Sequence, residues 1–240
     1  MHPGLYHHPM KVFALLPWAD WLAALGFLFA WVGYNWFAKF WGTRRPSLLA
    51  ATNRFRRKWM LQATSRDPRV LDGFITQSLA SSSSFFASTT IFIIGGLVAL
   101  LGTIDKAAEF VREMPFAVAT PMLVFEFKII VLAGIFVYAF FRFSWAMRQY
   151  TIVAVVVGAM PEPKEFEAGE FDRESVATRA GNLLGVAAET FNDGLRAYYF
   201  SFAALAWFFS PLVFAVATLL VVLILYAREF HSDVLHVLTD

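Results

Sequence analysis

An all-α, polytopic membrane fold is predicted by three features of this sequence. Hydrophobic residues make up 58% of its 240 residues, whereas soluble globular domains contain about 45–50%. Four apolar stretches are long enough to cross a bilayer, whose hydrocarbon core of about 30 Å needs about 20 helical residues. Lys and Arg are concentrated in two of the connections between these stretches.

The composition also excludes several classes of protein. Charged residues supply only 16% of the chain and Phe occurs 27 times, which excludes a disordered chain and a nucleic-acid-binding domain with a concentrated basic surface. The absence of Cys excludes disulfides, iron–sulfur clusters, thiolate metal sites and cysteine nucleophiles. We interpret residues 1–240 as a single membrane domain.

Four transmembrane helices are predicted, in order along the chain. They cover about residues 18–41, 80–103, 116–141 and 198–226, with Pro211 in the middle of the fourth. The connections at about 42–79 and 142–197 are long, and the helical spacing of apolar residues predicts that the third and fourth spans extend into them.

The distribution of positive charge predicts the orientation. The two long connections carry most of the Lys and Arg, namely Arg44, Arg45, Arg54, Arg56, Arg57, Lys58, Arg66, Arg69, Arg142, Arg148, Lys164, Arg173, Arg179 and Arg196, against Lys11, Lys106, Arg112 and Arg228 on the other side. Short loops rich in Lys and Arg stay in the cytoplasm. We therefore predict a bacterial inner (plasma) membrane protein with both termini on the non-cytoplasmic side.

A basic interfacial helix is predicted after the first span. Pro46-Ser47 is typical of a helix start, and an apolar stripe follows at Leu48, Thr52, Phe55, Trp59 and Leu61 or Gln62. Arg54, Arg57 and Lys58 lie largely off that stripe. Such a helix would rest among the anionic lipids of the inner leaflet, and this interpretation is favoured over a specific ligand site.

Two ionisable residues, Glu126 and Lys128, lie within the apolar stretch of the third span. Charged residues there are costly and indicate function by default. At this spacing they point about 200° apart around a helix, so each needs a partner elsewhere, such as Asn35, Asp20 or the Ser/Thr run of the second span. A structural pair and a transport pathway are equally compatible with the sequence.

The second span contains a polar patch of small residues. Ala80, Ser84 and Ser88 repeat at the spacing that lets helix backbones approach closely. The hydroxyls of Ser84 and Ser88 could also line a wet path. Packing is the favoured interpretation.

No motif of an enzyme or of a cofactor site is found. The five histidines, His2, His7, His8, His231 and His236, lie near the two ends of the chain and have no established ligand spacing. Asp72-Gly73 and Asp193-Gly194 are each interpreted as a single turn-like or helix-entry pair. We expect neither an enzyme, nor a metal, nor another cofactor.

Three segments together resemble a known family. They are residues 53–60 (NRFRRKWM), 82–90 (SSSFFASTT) and 191–200 (FNDGLRAYYF), and the chain resembles domain-of-unknown-function family 599, whose members are bacterial and plant membrane proteins with about four spans. The resemblance implies no activity. It implies that the first and third segments matter together, as a cytoplasmic-boundary cluster of Asn53, Arg54, Arg57, Trp59, Glu189, Asn192 and Arg196. An ion-pair network that holds the basic helix against the fourth span is favoured.

Two functions follow as hypotheses. The first is a homo-oligomeric channel or transporter for an ion or small solute, in which Glu126 sets charge preference, Lys128 pairs or gates, and Ser84 and Ser88 line the path. The alternative is an accessory or scaffold subunit that binds lipid or a larger membrane complex. A Glu126 that lines a hydrated cavity or a symmetry axis supports the first, and a Glu126 sealed in a dry ion pair supports the second.

Overall fold

A computed structural model of the protein describes residues 16–42, 46–104, 109, 111 and 121–239. Helices account for all the regular structure of these residues, which confirms the predicted all-α fold. In chain order they are α1 (Trp18–Gly42), α2 (Leu48–Ala63), α3 (Val70–Leu101), α4 (Met122–Gly158), α5 (Pro163–Glu167), α6 (Arg173–Ala206), α7 (Pro211–Phe230) and α8 (Asp233–Thr239).

Four helical stretches are long and apolar enough to cross a membrane, as predicted. They are Trp18–Gly42, Val70–Leu101, Met122–Gly158 and Pro211–Thr239. The 37 residues of α4 extend for about 55 Å at 1.5 Å per residue. Because the hydrocarbon core is only about 30 Å thick, α4 projects well beyond it, as the sequence predicted.

The predicted fourth span is corrected by a break in the chain. Helix α6 ends at Ala206, and α7 starts at Pro211. The Ser210 hydroxyl accepts a hydrogen bond from the Val213 N–H at 3.2 Å, and Pro at the first helical position needs no partner for its nitrogen. The Trp207 and Phe214 rings stack at 5.1 Å, so α6 and α7 form a hairpin instead of the single helix predicted over 198–226.

This hairpin also changes the position of the C-terminal region. The Trp207 indole contacts Asp20 near the start of α1, whereas the Leu49 N–H at the start of α2 donates to Glu229 near the end of α7 at 3.0 Å. The described chain therefore begins at one end of the bundle, the Trp18 end, and finishes at the other, the α2 end. The C-terminal part of α6 runs between the same two ends, from Asp193 beside Lys39 to Trp207 beside Asp20, and adds a fifth pass to the four apolar stretches. This arrangement of the described residues differs from the prediction that both termini lie on one side.

Aromatic side chains fill the interior of the bundle. Helix α4 packs between α3 and α6, α7 packs on α6, and α1 packs on α7. Phe27 of α1 contacts Phe200 of α6 edge-on at 5.6 Å and Phe214 of α7 at 5.0 Å. Phe143 of α4 lies 5.5 Å from Tyr198. Such ring pairs contribute about 0.5–1.5 kcal/mol each beyond area burial, and in lipid this packing largely replaces the hydrophobic effect as the force between helices.

Helix α2 begins as predicted, because the Ser47 hydroxyl caps it by accepting from the Ala50 N–H at 3.1 Å. Its contact face differs from the predicted stripe, since Phe55 is 50% exposed while Met60 and Ala63 are fully buried. The reason lies on α6, where a Cβ added at Gly181 would come within 2.9 Å of the Arg57 Cα. Glycine therefore lets the α2 backbone approach α6 closely, and α2 is held by protein as well as by lipid.

Helix α3 packs on α4 through a face rotated from the predicted one. Its buried residues follow helical spacing at Thr76, Ala80, Ser83, Ala87 and Thr90. Ser88 is exposed and Ser84 only half-buried. The predicted four-residue repeat drifts off the buried face because a helix turns once every 3.6 residues.

Candidate functional site

Lys128 forms a buried ion pair at the Trp18 end of the bundle. Its Nζ lies 3.2 Å from Asp20 Oδ1 and donates to the Trp207 carbonyl oxygen at 2.9 Å. The Trp207 Nε1–H donates to the same Asp20 oxygen at 2.6 Å. The side chains of Lys128 and Asp20 are only 3% and 7% exposed, so the pair is enclosed by protein.

The helix ends explain why these charges are stable there. Trp207 directly follows the last residue of α6, and the final carbonyls of a helix lack intrahelical partners. A cation is favoured at that negative end of the helix dipole, and an anion such as Asp20 is favoured in the first turn of α1. The chain reversal after Ala206 therefore creates the site that receives Lys128.

Glu126 is placed differently from its neighbour. It is half-buried in the second turn of α4, and it makes no hydrogen bond or ion pair with the residues that the structure describes. Asn35 lies about 22 Å beyond Asp20 along α1. Glu126, Lys128, Asn35, Ser84 and Ser88, the predicted intramembrane polar site, therefore do not form one cluster within the chain.

A second charged group, the Asp193 cluster, lies toward the α2 end. Asp193 Oδ1 accepts from Arg196 Nη1 at 3.0 Å, and Asp193 Oδ2 accepts from Lys39 Nζ at 3.2 Å and from Arg142 Nη2. Glu189 adds a weaker contact, 3.6 Å from Lys39 Nζ. The cluster joins α1, α4 and α6 through one carboxylate.

Close packing on α6 positions Asp193. A Cβ added at Gly194 would lie 2.6 Å from Phe143 Cε1, so glycine is needed for α4 to approach at this level. The Arg196 guanidinium lies over the Tyr34 ring at 5.9 Å. Asp193-Gly194, interpreted from sequence as a turn-like or helix-entry pair, is instead in the interior of a long helix.

The predicted cytoplasmic-boundary cluster divides between two places. Arg196 pairs with Asp193, Glu189 contacts Lys39 of the same cluster, and Asn192 is half-buried on the same helix. The α2 members lie about 12 Å away along α6, where Gly185 faces Asn53. The remaining members are Arg54 and Arg57, both exposed, and Trp59, half-buried.

The members of the predicted cluster that lie on α2 make a different set of contacts. Asn53 Oδ1 accepts from Arg56 Nη1 at 2.7 Å, and burial lowers the pKa of the Arg56 guanidinium from its usual value. The Trp59 Nε1–H donates to Asp72 Oδ1 at 2.6 Å, and Arg66 pairs with the same oxygen. These contacts connect α2 to the start of α3. They were not predicted from the sequence, because Asp72-Gly73 was interpreted there as an isolated turn-like pair.

In the described part of the chain, the histidines do not form a metal-binding site. Among those residues no group of three His, Cys, Asp or Glu side chains could hold a metal ion. His231 and His236 line a cavity of about 530 Å³ at the α2 end, together with Trp41 and Phe230. His2, His7 and His8, which the sequence placed on the same face, lie outside the described residues.

Comparison with known proteins agrees with the membrane architecture. A family model described as "Protein of unknown function, DUF599" matches residues 22–234. No curated protein and no solved structure matches the chain. Since the match covers most of the sequence, and the four apolar helices fit a membrane-embedded protein, the chain belongs to the DUF599 family.

Proposed function

We propose that the protein is an accessory or scaffold subunit of the bacterial inner membrane, which binds lipid or a larger membrane complex and passes no solute. The observation that carries this proposal is the enclosed pair of Lys128 and Asp20. An intramembrane cation that serves permeation faces a water-filled cavity. Lys128 instead pairs with a carboxylate and donates to a carbonyl at a helix end, in a site enclosed by protein.

The segment between the two charged groups also supports a structural role. Lys128 and Arg142 are about 21 Å apart along α4. The interior between them is filled by rings of Phe136, Phe200 and Tyr198. The Tyr198 hydroxyl is hydrogen-bonded to Thr90 at 2.7 Å. A dry interior of this kind stabilises a bundle and opposes the passage of a hydrated ion.

The charge distribution favours a cytoplasmic location for the α2 end. The basic residues of α2 lie there, and the α6–α7 hairpin brings Arg228 to the same end. Positive residues close to membrane spans are retained in the cytoplasm. The position of the end of α7 beside α2 therefore supports the charge asymmetry that the sequence predicted.

An apolar groove between α1 and α7 supports contact with lipid or with another membrane helix. Its volume is about 660 Å³, and its lining includes Gly26, Ala30, Gly33, Ala215 and Leu219. Small residues on a lipid-facing helix allow a chain or a backbone to approach closely.

A homo-oligomeric channel is a second candidate, because Glu126 is half-buried and unpaired within the described chain. In an assembly of several copies, such a residue could face a shared axis. This possibility makes Glu126 the residue that best separates the two functions.

Ion flux through reconstituted vesicles tests the proposal. We expect wild-type protein to give the same flux as protein-free vesicles under K⁺, Na⁺, H⁺ and Cl⁻ gradients, because the interior is packed and dry. Glu126→Gln and the exposed-site control Glu174→Gln should behave alike. Wild-type flux that Glu126→Gln alters, with Glu174→Gln unchanged and assembly intact, would contradict the scaffold function and support the channel.

A further inference from the structure

We propose that a cleft between α1 and α4, at the level of the Asp193 cluster, binds the phosphate headgroup of an anionic phospholipid. The cleft is defined by Trp31, Asn35 and Lys39 on α1 and by Tyr138 and Arg142 on α4. This proposal deepens the proposed function and rests on it, because it names the lipid chemistry that one site would recognise.

Helical spacing aligns these residues on two facing rows. Trp31, Asn35 and Lys39 follow one another at four-residue intervals, as do Tyr138 and Arg142, so each row occupies one helix face. The Trp31 and Tyr138 rings meet edge-on at 5.3 Å, and Lys39 and Arg142 both reach Asp193 on α6. Because α1 and α4 make little backbone contact, α6 forms the floor of the cleft between them.

Unpartnered polar atoms are concentrated in this cleft. Within the described residues, Trp31 Nε1, Asn35 Oδ1 and Arg142 Nε are buried and lack a hydrogen-bond partner. Most buried polar atoms in proteins have one. Asn35 and Arg142 are only partly covered as whole side chains, so a change of side-chain rotamer can bring the Asn35 amide and the Arg142 Nε to the surface. Two donors and one acceptor match a headgroup that carries both a phosphate and a hydroxyl.

The charges of the cleft favour an anion. Lys39, Arg142 and Arg196 face two carboxylates, Asp193 and Glu189, which leaves one positive charge in excess. The side chains of Lys39 and Arg142 are 45% and 29% exposed, whereas that of Asp193 is 3% exposed. Each cation therefore contacts the buried carboxylate while part of its side chain stays accessible to an anion.

The surroundings of the cleft favour a lipid as the source of that anion. Lys39 lies in the last turn of α1, close to the boundary where headgroups lie. Large apolar side chains beside the opening, Trp36 and Phe141, are exposed. Acyl chains can lie against such side chains while the phosphate contacts the two cations.

Native mass spectrometry of the purified full-length protein tests the proposal. We expect dioleoyl-phosphatidylglycerol to bind about tenfold more tightly than dioleoyl-phosphatidylcholine, since a charge-assisted hydrogen bond accounts for about one decade of affinity. Arg142→Gln and Lys39→Gln should each remove most of that preference. Arg148→Gln, an equal change of charge at an exposed position further along α4, should retain it.

Several results would overturn the proposal. The first is equal binding of the two lipids, and the second is a loss of the lipid preference in Arg148→Gln as large as in Arg142→Gln. The third is displacement of phosphatidylglycerol by millimolar inorganic phosphate, which would assign the site to free phosphate. If Arg142→Gln does not fold, Asn35→Leu provides a second test, because it keeps the charge cluster intact. We expect Asn35→Leu to weaken the preference for phosphatidylglycerol. Ion flux with intact lipid preference would contradict only the scaffold function, whereas loss of the preference without flux would contradict only this inference.

Discussion

Replacing Lys128 with Met is expected to lower the free energy of unfolding by about 3–5 kcal/mol, because it leaves the Asp20 carboxylate buried without its cation. The loss is this large because the Lys128 and Asp20 side chains are only 3% and 7% exposed, so water cannot replace the missing cation. The Trp207 carbonyl would lose its donor as well. Titration with a denaturing detergent in mixed micelles measures the change.

Two further variants separate this effect from a general loss of charge. Glu126→Gln lies on the same helix turn, at a position with no ion pair among the described residues, and should change stability by less than about 1 kcal/mol. The double variant Asp20→Leu with Lys128→Met removes both charges and should be more stable than Lys128→Met alone. If Lys128→Met were as stable as Glu126→Gln, the pair of Lys128 and Asp20 would not stabilise the Trp18 end of the bundle.

Asp193→Asn is expected to destabilise the protein by a similar amount, about 3–5 kcal/mol. Three cations on three helices share the Asp193 carboxylate, and the Arg196 side chain, 3% exposed, has no access to solvent once that charge is removed. Thermal and detergent-induced unfolding should both report the loss.

Glu189→Gln is the matched control for Asp193→Asn. It lies one turn earlier on α6, its side chain is 30% exposed, and among the described residues its ion pair is with Lys39 at 3.6 Å. Exposed ion pairs contribute about 0–1 kcal/mol, so this variant should unfold almost like the wild type. If Glu189→Gln destabilised the protein as much as Asp193→Asn, the claim that the Asp193 carboxylate holds the three helices together would be contradicted.

Much of the fold could be predicted because the bilayer dictates helix length and composition. The uniformly apolar runs of α1, α3 and α4 identify those helices. The break at 207–210 was missed because apolar residues continue through it. Ser210 followed by Pro211 is a helix-start signal that was available in the sequence, and it marks the hairpin that reverses the chain.

The candidate site was predictable only in part. A charge such as Lys128 in an apolar run is visible by composition, and Asp20 was among its predicted partners. Trp207 was missed because its contribution is a backbone carbonyl, exposed only where α6 ends. Lys39 and Arg142 resemble boundary charges in the sequence, and only the packing of three helices shows that they converge on Asp193.

Cysteine accessibility tests the α6–α7 hairpin, on which the Lys128 site depends. The chain contains no Cys, so single cysteines can be introduced at exposed positions without removing any. We expect His231→Cys to react with a membrane-impermeant maleimide from the same side as Glu170→Cys, and Thr103→Cys from the opposite side. Labelling of His231→Cys from the side of Thr103→Cys would contradict the hairpin and favour the single helix over 198–226.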